Sequence, residues 1–357
     1  MPQPLVTRGL SAAVLLLAVG PAGAVEASTL RSPFPQVQPA APAAAMSFVC
    51  LPAPPAVRDI TANRYYSDAA SSVIDPALER RNKFAVKPLE DYLRSFSRMT
   101  DLYTRSGAEA VAACALGWLD AWAQGGAMLG SMSSSQADYH RNWTLAGLAL
   151  NYLKIRDSTA LDAAGKQRVE AWLHKLAHAV RPYFDDPRRT RNNHFYWAGL
   201  AVAAAGVAAN DRALFDWGVG VYREALTHMT PAGTLPLEMA RRTRAVHYHN
   251  FALAPLVLIA EIGAANDTPL YAESDRALHR LVARTVSGMM DPSYFERAAQ
   301  AKQDEPPRGG VLAWAEPYLK RFPDAGLPPE WKEQIVRARP VAYPTLGGNL
   351  TALYSAY

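Results

Sequence analysis

The stretch Asn192-Asn193-His194-Phe195-Tyr196-Trp197, which runs without a break into the apolar segment from Trp197 to Ala209, decides how this chain folds. Amides and an imidazole come first, then a run that is apolar on every side. A helix apolar all round must be surrounded by protein. The segment from Phe251 to Ala260 repeats the pattern, and Arg241-Arg242-Thr243-Arg244-Ala245-Val246-His247-Tyr248-His249-Asn250 leads into it. Around these lie segments with a single apolar stripe. Val111, Cys114, Ala115, Trp118, Leu119 and Trp122 fall at i, i+3, i+4, i+7, i+8 and i+11, the spacing of one helix face. Val169, Trp172, Leu173, Leu176, Ala177 and Val180 keep it, as do Leu214, Trp217, Gly218, Val221, Tyr222 and Ala225.

Strand signals are weak throughout, so the chain reads as all-α. Wholly apolar and striped helices alternate, joined by loops of Pro, Asp and Gly. Helical hairpins in a ring satisfy that alternation, with apolar helices inside and striped ones outside: an α/α toroid, or barrel. An irregular helical bundle is the plain alternative. In a toroid with parallel inner helices, the N-termini collect at one end. Free backbone N–H groups and positive dipole ends would then meet beside the arginines.

The chain has 357 residues, half of them hydrophobic, enough to bury a sizeable core. Its net charge is +5, with Arg188, Arg189, Arg191, Arg241, Arg242 and Arg244 close to the two motifs. Clustered cations imply a polyanionic partner. Residues 1–24 read as a secretory signal: Arg8, an apolar run from Leu10 to Val19, and small residues Ala22-Gly23-Ala24 for cleavage. That run is too short to span a bilayer, and charges interrupt every later apolar segment, so no membrane insertion is expected. The reading is a periplasmic protein, or one secreted further, with cleavage near Ala24. In that compartment the two cysteines, Cys50 and Cys114, can pair. Residues 25–58, rich in Pro and Ala, read as an extended N-terminal arm, and 59–357 as a single domain. Within it, 59–80 reads as an ordered loop, not a helix.

Asn193, His194, Arg241 and Tyr248 suit one reaction, β-elimination on a uronic-acid polymer. The C6 carboxylate must be neutralised, a base must take the C5 proton, and an acid must protonate the departing O4. Amide and guanidinium donors act where charge develops. A His, or a Tyr of lowered pKa, is the base, and a Tyr the acid. Arg241 and Tyr248 stand two helical turns apart. Taken singly, each residue has an ordinary structural use: a core histidine, a solvated arginine face, or Asn192 and Asn193 as helix caps.

Other chemistries fit less well. Zinc catalysis wants histidines at ligand spacing. His247 and His249 point to different helix faces, and His174 and His178 read as surface residues of an outer helix. Hydrolysis needs two opposed acids, for which Glu238, Asp185 and Asp186 are available. Nucleic acid is disfavoured by export and by the lack of a basic aromatic platform, and no nucleotide-binding or Gly-x-Ser-x-Gly fingerprint is present.

Asn192 to Ala198, Leu235-Pro236 and Arg241 to Leu253 closely resemble polysaccharide lyase family 5, the periplasmic alginate (poly-mannuronate) lyases. The likeness extends to Cys114-Ala115-Leu116-Gly117-Trp118, Leu214-Phe215-Asp216-Trp217, Trp314-Ala315-Glu316-Pro317-Tyr318 and Leu346-Gly347-Gly348, covering about Cys50 to Leu350. It implies an incomplete α/α toroid with a deep cleft, no metal or other cofactor, and a polyuronate as partner. Asn193 and Arg241 would neutralise the carboxylate, and His194 and Tyr248 would handle the protons. Either His194 or Tyr248 could be the base; on a mannuronate one phenol could serve as both base and acid. Arg64 and Tyr65 match a lid loop. Asn192, Trp197, Arg244 and His247 complete the expected contacts to substrate. His247 stands where many members carry a small residue. As an extra charge in mild acid it would widen the substrate range to poly-glucuronate or hyaluronan. A non-catalytic polyuronate-binding or export protein is the rival of a different class. A cleft enzyme of this size can work as a monomer.

Overall fold

The computed structural model describes residues 1–3, 29–37, 48–160 and 162–354. The leader read over 1–24 lies, beyond its first three residues, outside that range. Six long helices come first: α1 (Pro76–Ser106), α2 (Glu109–Gln124), α3 (Ser135–Ile155), α4 (Ala163–Asp185), α5 (Asn193–Ala208) and α6 (Arg212–Thr227). After the single turn α7 (Pro236–Met239) come α8 (Ala245–Ala265) and α9 (Glu273–Met290). Shorter helices α10 (Ser293–Ala299), α11 (Ala315–Arg321), α12 (Pro329–Arg337) and α13 (Leu350–Tyr354) follow, with a two-residue antiparallel pair, β1 (Ala342–Tyr343) and β2 (Gly348–Asn349).

The ring follows from three sets of contacts. Asn82 bonds His140 and Thr100 bonds Asn151, so α1 and α3 run the same way. Asn142 reaches the carbonyl of His194, and Arg156 that of Val207, so α3 and α5 do too. Trp197 bonds the Phe251 carbonyl and Gly199 lies against Ile259, which aligns α5 with α8. Each is followed by a returning helix, as where Tyr92 of α1 stacks on Trp122 of α2. The N-termini of α1, α3, α5 and α8 therefore share one end. The interval between α8 and α1 is filled by the C-terminal segment. Asn349 donates to Asp101 of α1, Pro344 and Gly347 accept from Asn151 and Lys154 of α3, and Trp314 donates to Asn250 of α8.

The stripes and runs fall where the periodicity puts them. On α2 and α4 every stripe residue is buried; on α6 only Trp217 stays half-buried. Helix α5 buries every residue but His194. Two readings are corrected. Residues 76–80 are helical, because Asp75 caps α1 through the amides of Ala77 and Leu78, with Pro76 in the first turn. Arg242–Ala265 is apolar and long enough, by length and composition, to cross a membrane. It is 83% buried, which makes it the core helix of the ring. Glycine sets the α5–α6 crossing: a Cβ on Gly218 would sit 2.5 Å from the Gly199 carbonyl oxygen, so only Gly lets α6 approach α5 this closely.

The described parts of the arm carry no helix and are pinned at several points. Leu30 and Phe34 are buried, Arg31 bonds Asn266, and Trp118 and Trp122 donate to the carbonyls of Leu51 and Pro54. Cys50 and Cys114 are disulfide-bonded, with their Cα atoms 5.6 Å apart.

Candidate active site

A cleft of about 520 Å³ opens at the shared helix mouth. Arg64, Tyr65, Tyr66, Asn192, His194, Arg241, Arg244, His247 and Tyr248 all line it, with Tyr139, Trp143 and Phe251 as an aromatic floor. The two sequence motifs thus meet on one cavity, and His194 and Tyr248 face it together. A second chamber of about 380 Å³ shares Tyr65, Glu79, Trp143 and Phe251 with the first and reaches Lys83, Arg94 and His140.

Asn192 caps α5, its side-chain oxygen accepting the His194 amide. Asn193 stands differently from the expectation. It is fully buried and off the cleft wall, and its Nδ2 donates to both oxygens of Glu238 at 2.9 Å. Its backbone N–H goes to Glu238 as well, and its Oδ1 has no partner among the described residues. An amide whose donors are already engaged holds the mouth together; it has none left for a sugar carboxylate. Glu238, which the sequence offers only as an acid for hydrolysis, is instead the partner that clasps Asn193. It also faces Arg241, Nε to Oε2 at 3.7 Å. Burial, the largest influence, raises its pKa, and Arg241 opposes that.

His194 lies flat on Tyr139, ring centroids 3.7 Å apart and 5° from parallel, with Trp143 beside it. Burial first, then Arg241 and His140, pull its pKa to about 3, so the imidazole is neutral. Its Nδ1 has no partner among the described residues.

Tyr248 sits under two cations. The Arg241 guanidinium lies 4.2 Å from its ring centroid and that of Arg244 5.5 Å. Its hydroxyl is hydrogen-bonded to that of Tyr66. Arg244 donates to the same Tyr66 oxygen at 3.1 Å. With that oxygen accepting from Arg244, the Tyr66 proton is free to point at Tyr248. The pKa of Tyr248 is nevertheless raised, because desolvation outweighs the pull of Arg241, the Tyr66 bond and Arg244. This corrects the expectation of a lowered phenol: the resting group is protonated.

The segment expected to serve as a lid is a tight loop. Asp68 accepts from the amides of Ser72 and Val73, Ser67 bonds Val73, and Asp75 bonds Tyr65. Arg64 bonds within the loop, to Asp68 and Ser71. Tyr65 faces the cleft, but its neighbour Tyr66 holds Tyr248. The doublet was visible in the sequence; which of the two would meet Tyr248 was not.

Other expected contacts are corrected. Trp197 is fully buried, its indole N–H on the Phe251 carbonyl, and it borders the inner chamber instead of the mouth. Of the six motif arginines only Arg241 and Arg244 reach the cleft. Arg188 is paired with Asp186, Arg189 lies over Tyr183, and Arg191 sits between Glu224 and Phe195. His247 packs edge-on against Tyr248, and burial with Arg244 beside it holds its pKa near 4. It carries no added charge in mild acid. His249, on the opposite face, bonds the Leu235 amide and the Ala245 carbonyl.

A helical toroid whose mouth gathers a neutral imidazole, two guanidiniums and a phenol defines a cleft protein suited to an anionic ligand and to proton transfer. The alginate lyase family model matches residues 59–295, and the chain belongs to that family. It is 43% identical over 316 residues to a polysaccharide lyase of Stenotrophomonas maltophilia, covering 87% of this chain and 92% of that one. With an alginate lyase of Azotobacter vinelandii it shares 34% identity, covering 81% and 78%. Among solved structures, a single-residue variant of alginate lyase A1-III complexed with a tetrasaccharide superposes with a TM-score of 0.78 at 27% identity, over 88% of each chain. The unliganded A1-III from a Sphingomonas species gives 0.75 at the same identity, over 88% and 89%.

Proposed function

We propose that this chain is a polysaccharide lyase that cleaves 1,4-linked polyuronates, alginate and its poly-β-D-mannuronate blocks first, by β-elimination to 4,5-unsaturated ends. The observation that carries the reading is the Arg244–Tyr66–Tyr248 chain of hydrogen bonds, with Arg241 over the Tyr248 ring and neutral His194 across the same cleft. Arg241 and the His194 N–H receive the C6 carboxylate and the charge that builds on it as C5 loses its proton. Tyr248 is the group provisioned to hold negative charge, since Tyr66 can donate to it and two cations flank it. His194, at about 3, is a poor proton acceptor. Tyr248 therefore acts as its phenolate, reached when the resting phenol gives its proton to solvent: the oxygen takes the C5 proton and hands it to O4 as the C4–O4 bond breaks on the same side of a mannuronate, which restores the phenolate. Asn193 acts through Glu238, as a positioning residue. The lid, through Tyr65 and Tyr66, excludes water over the sugar.

The non-catalytic binding reading is not favoured, because the matched relatives are named as lyases. Export to the periplasm rests on the leader pattern in residues 1–24 and on the disulfide, which suits an oxidising compartment. The enzyme is proposed to act as a monomer. Incubation with poly-mannuronate, followed by ultraviolet absorbance of the new double bond, tests the function. Depolymerisation without that absorbance would mean hydrolysis and would refute it.

A further inference from the structure

Far from the catalytic groups, on the outer ring, two helices bring three ligand-type side chains together. His174 and His178 are one turn apart on α4, so they share a face. Asp211, the residue that caps α6, reaches the same spot from the neighbouring hairpin. The ligand atoms of the three lie within 4.8 Å of one another, and His174 Nε2 is 2.9 Å from Asp211 Oδ2. The other oxygen of Asp211, Oδ1, accepts the Leu214 amide at 3.0 Å, which fixes the carboxylate plane and leaves Oδ2 turned to the histidines. The nearest arginine in sequence, Arg212, is taken up by Asp216 at 2.9 Å and does not compete for that oxygen. None of the three lines the cleft.

We propose that His174, His178 and Asp211 form a site for a divalent transition metal of the zinc class, one that clamps α4 to α6. Two imidazoles and a carboxylate suit zinc better than magnesium or calcium, which want oxygen ligands. Zinc bonds of roughly 2.0–2.2 Å separate tetrahedral donors by a little over 3 Å. His174 and Asp211 are already that close, and His178, exposed on the α4 surface, closes the remainder by a rotation of its side chain. The cap bond from Leu214 serves as the outer support that orients a metal-binding carboxylate. The ion would act on stability, by bridging two outer helices. The reaction proposed above does not use it.

The experiment is calorimetric titration of zinc chloride into the full chain, free of any affinity tag and stripped with EDTA, with melting curves recorded with and without the metal. One zinc per chain is expected, with a rise in melting temperature, because a ligand bound only by the folded state stabilises it. His178→Ala and Asp211→Asn should each weaken binding at least tenfold and abolish the rise. Asn caps a helix as well as Asp does, so the metal-free melting temperature of Asp211→Asn should match the parent. Cobalt in place of zinc should give visible bands that both variants lose. Absence of binding at submillimolar zinc overturns the proposal. So does zinc binding by both variants as tight as the parent's, which would put the ion elsewhere. If Asp211→Asn alone bound as tightly as the parent, the histidine pair would be acting without its carboxylate, and the three-residue site would be refuted.

Discussion

The two helix mouths at the cleft are alike in sequence and opposite in use. The α5 mouth presents Asn192, Asn193 and His194, and spends both amides on the fold: one caps the helix, the other is clasped by Glu238. His194 carries no such duty, and Asn192 lines the cleft beside it. The α8 mouth leaves its polar groups facing the cleft, with Arg241, Arg244 and Tyr248 on its wall. One mouth is therefore a frame with a single reactive group, and the other carries the charge and the proton. Glu238 joins them, since it holds Asn193 on one side and faces Arg241 on the other.

That contrast is tested hardest by removing the phenol. Tyr248→Phe should keep the fold and lose on the order of 10²–10⁴ in kcat, the range for a general acid–base group. A purified variant with parental circular dichroism and near-parental rates would end the assignment. Arg241→Ala should cost somewhat less, on the order of 10²–10³, while Asn193→Ala should show its loss mainly as a lower melting temperature. If Asn193→Ala instead matched Arg241→Ala in kcat with its stability intact, the frame-and-chemistry division would fail. Glu238→Ala strips Asn193 of its partner. It should destabilise by about 1–3 kcal/mol, as for a buried donor left unsatisfied, and lower activity through both mouths. Glu238→Gln, which can still accept from Asn193, should recover most of the stability in a denaturant titration.

Much of this was legible beforehand because helices write their burial into sequence at a fixed period. The stripes on α2 and α4 and the runs in α5 and α8 predicted hairpins in a ring, and they lie in the core of one. The paired motifs were legible as chemistry because guanidinium, imidazole and phenol rarely crowd together without a use. What failed to show was direction. Tyr65 and Tyr66 are chemically the same, and only the turn set by Asp68 decides which hydroxyl meets Tyr248. Asn193 reads as a free donor until Glu238, 45 positions on, is seen to hold it. The arginines near 190 read as part of a cationic cluster that would draw a polyanion, but local acids and aromatic rings claim them. The phenol's raised pKa was equally hidden, since burial is a tertiary quantity.

Buried histidines set the pH response of the frame. Burial holds His140 and His249 near 4 in the folded chain, against about 6.5 when unfolded. Between those values the unfolded state binds more protons, so stability rises with pH across the window. Read downward, stability should start to fall below about 6.5 and continue to near 4, by roughly 3 kcal/mol at most for each such group. Melting curves from pH 7.5 to 4, on a scale set by those pKa values, should show the decline. A flat profile would mean that these imidazoles find water when they charge.

The smallest effect is expected at His247, and it sharpens the contrast from inside the active mouth. Its neighbours on the cleft, Arg244 and Tyr248, hold or move charge, whereas its own ring is kept neutral by burial and by Arg244. A residue uncharged both at neutrality and in mild acid cannot switch substrate preference with pH. His247→Ala should therefore leave the ratio of activities on poly-mannuronate, poly-glucuronate and hyaluronan independent of pH between about 5 and 9, a span around the ordinary histidine range. Any change should be a uniform one from lost packing against the Tyr248 ring. A ratio that shifted in the parent as pH fell toward 5, and did not shift in the variant, would show that substrate binding opens this ring to a proton. It would also make the α8 mouth a pH sensor as well as a catalyst.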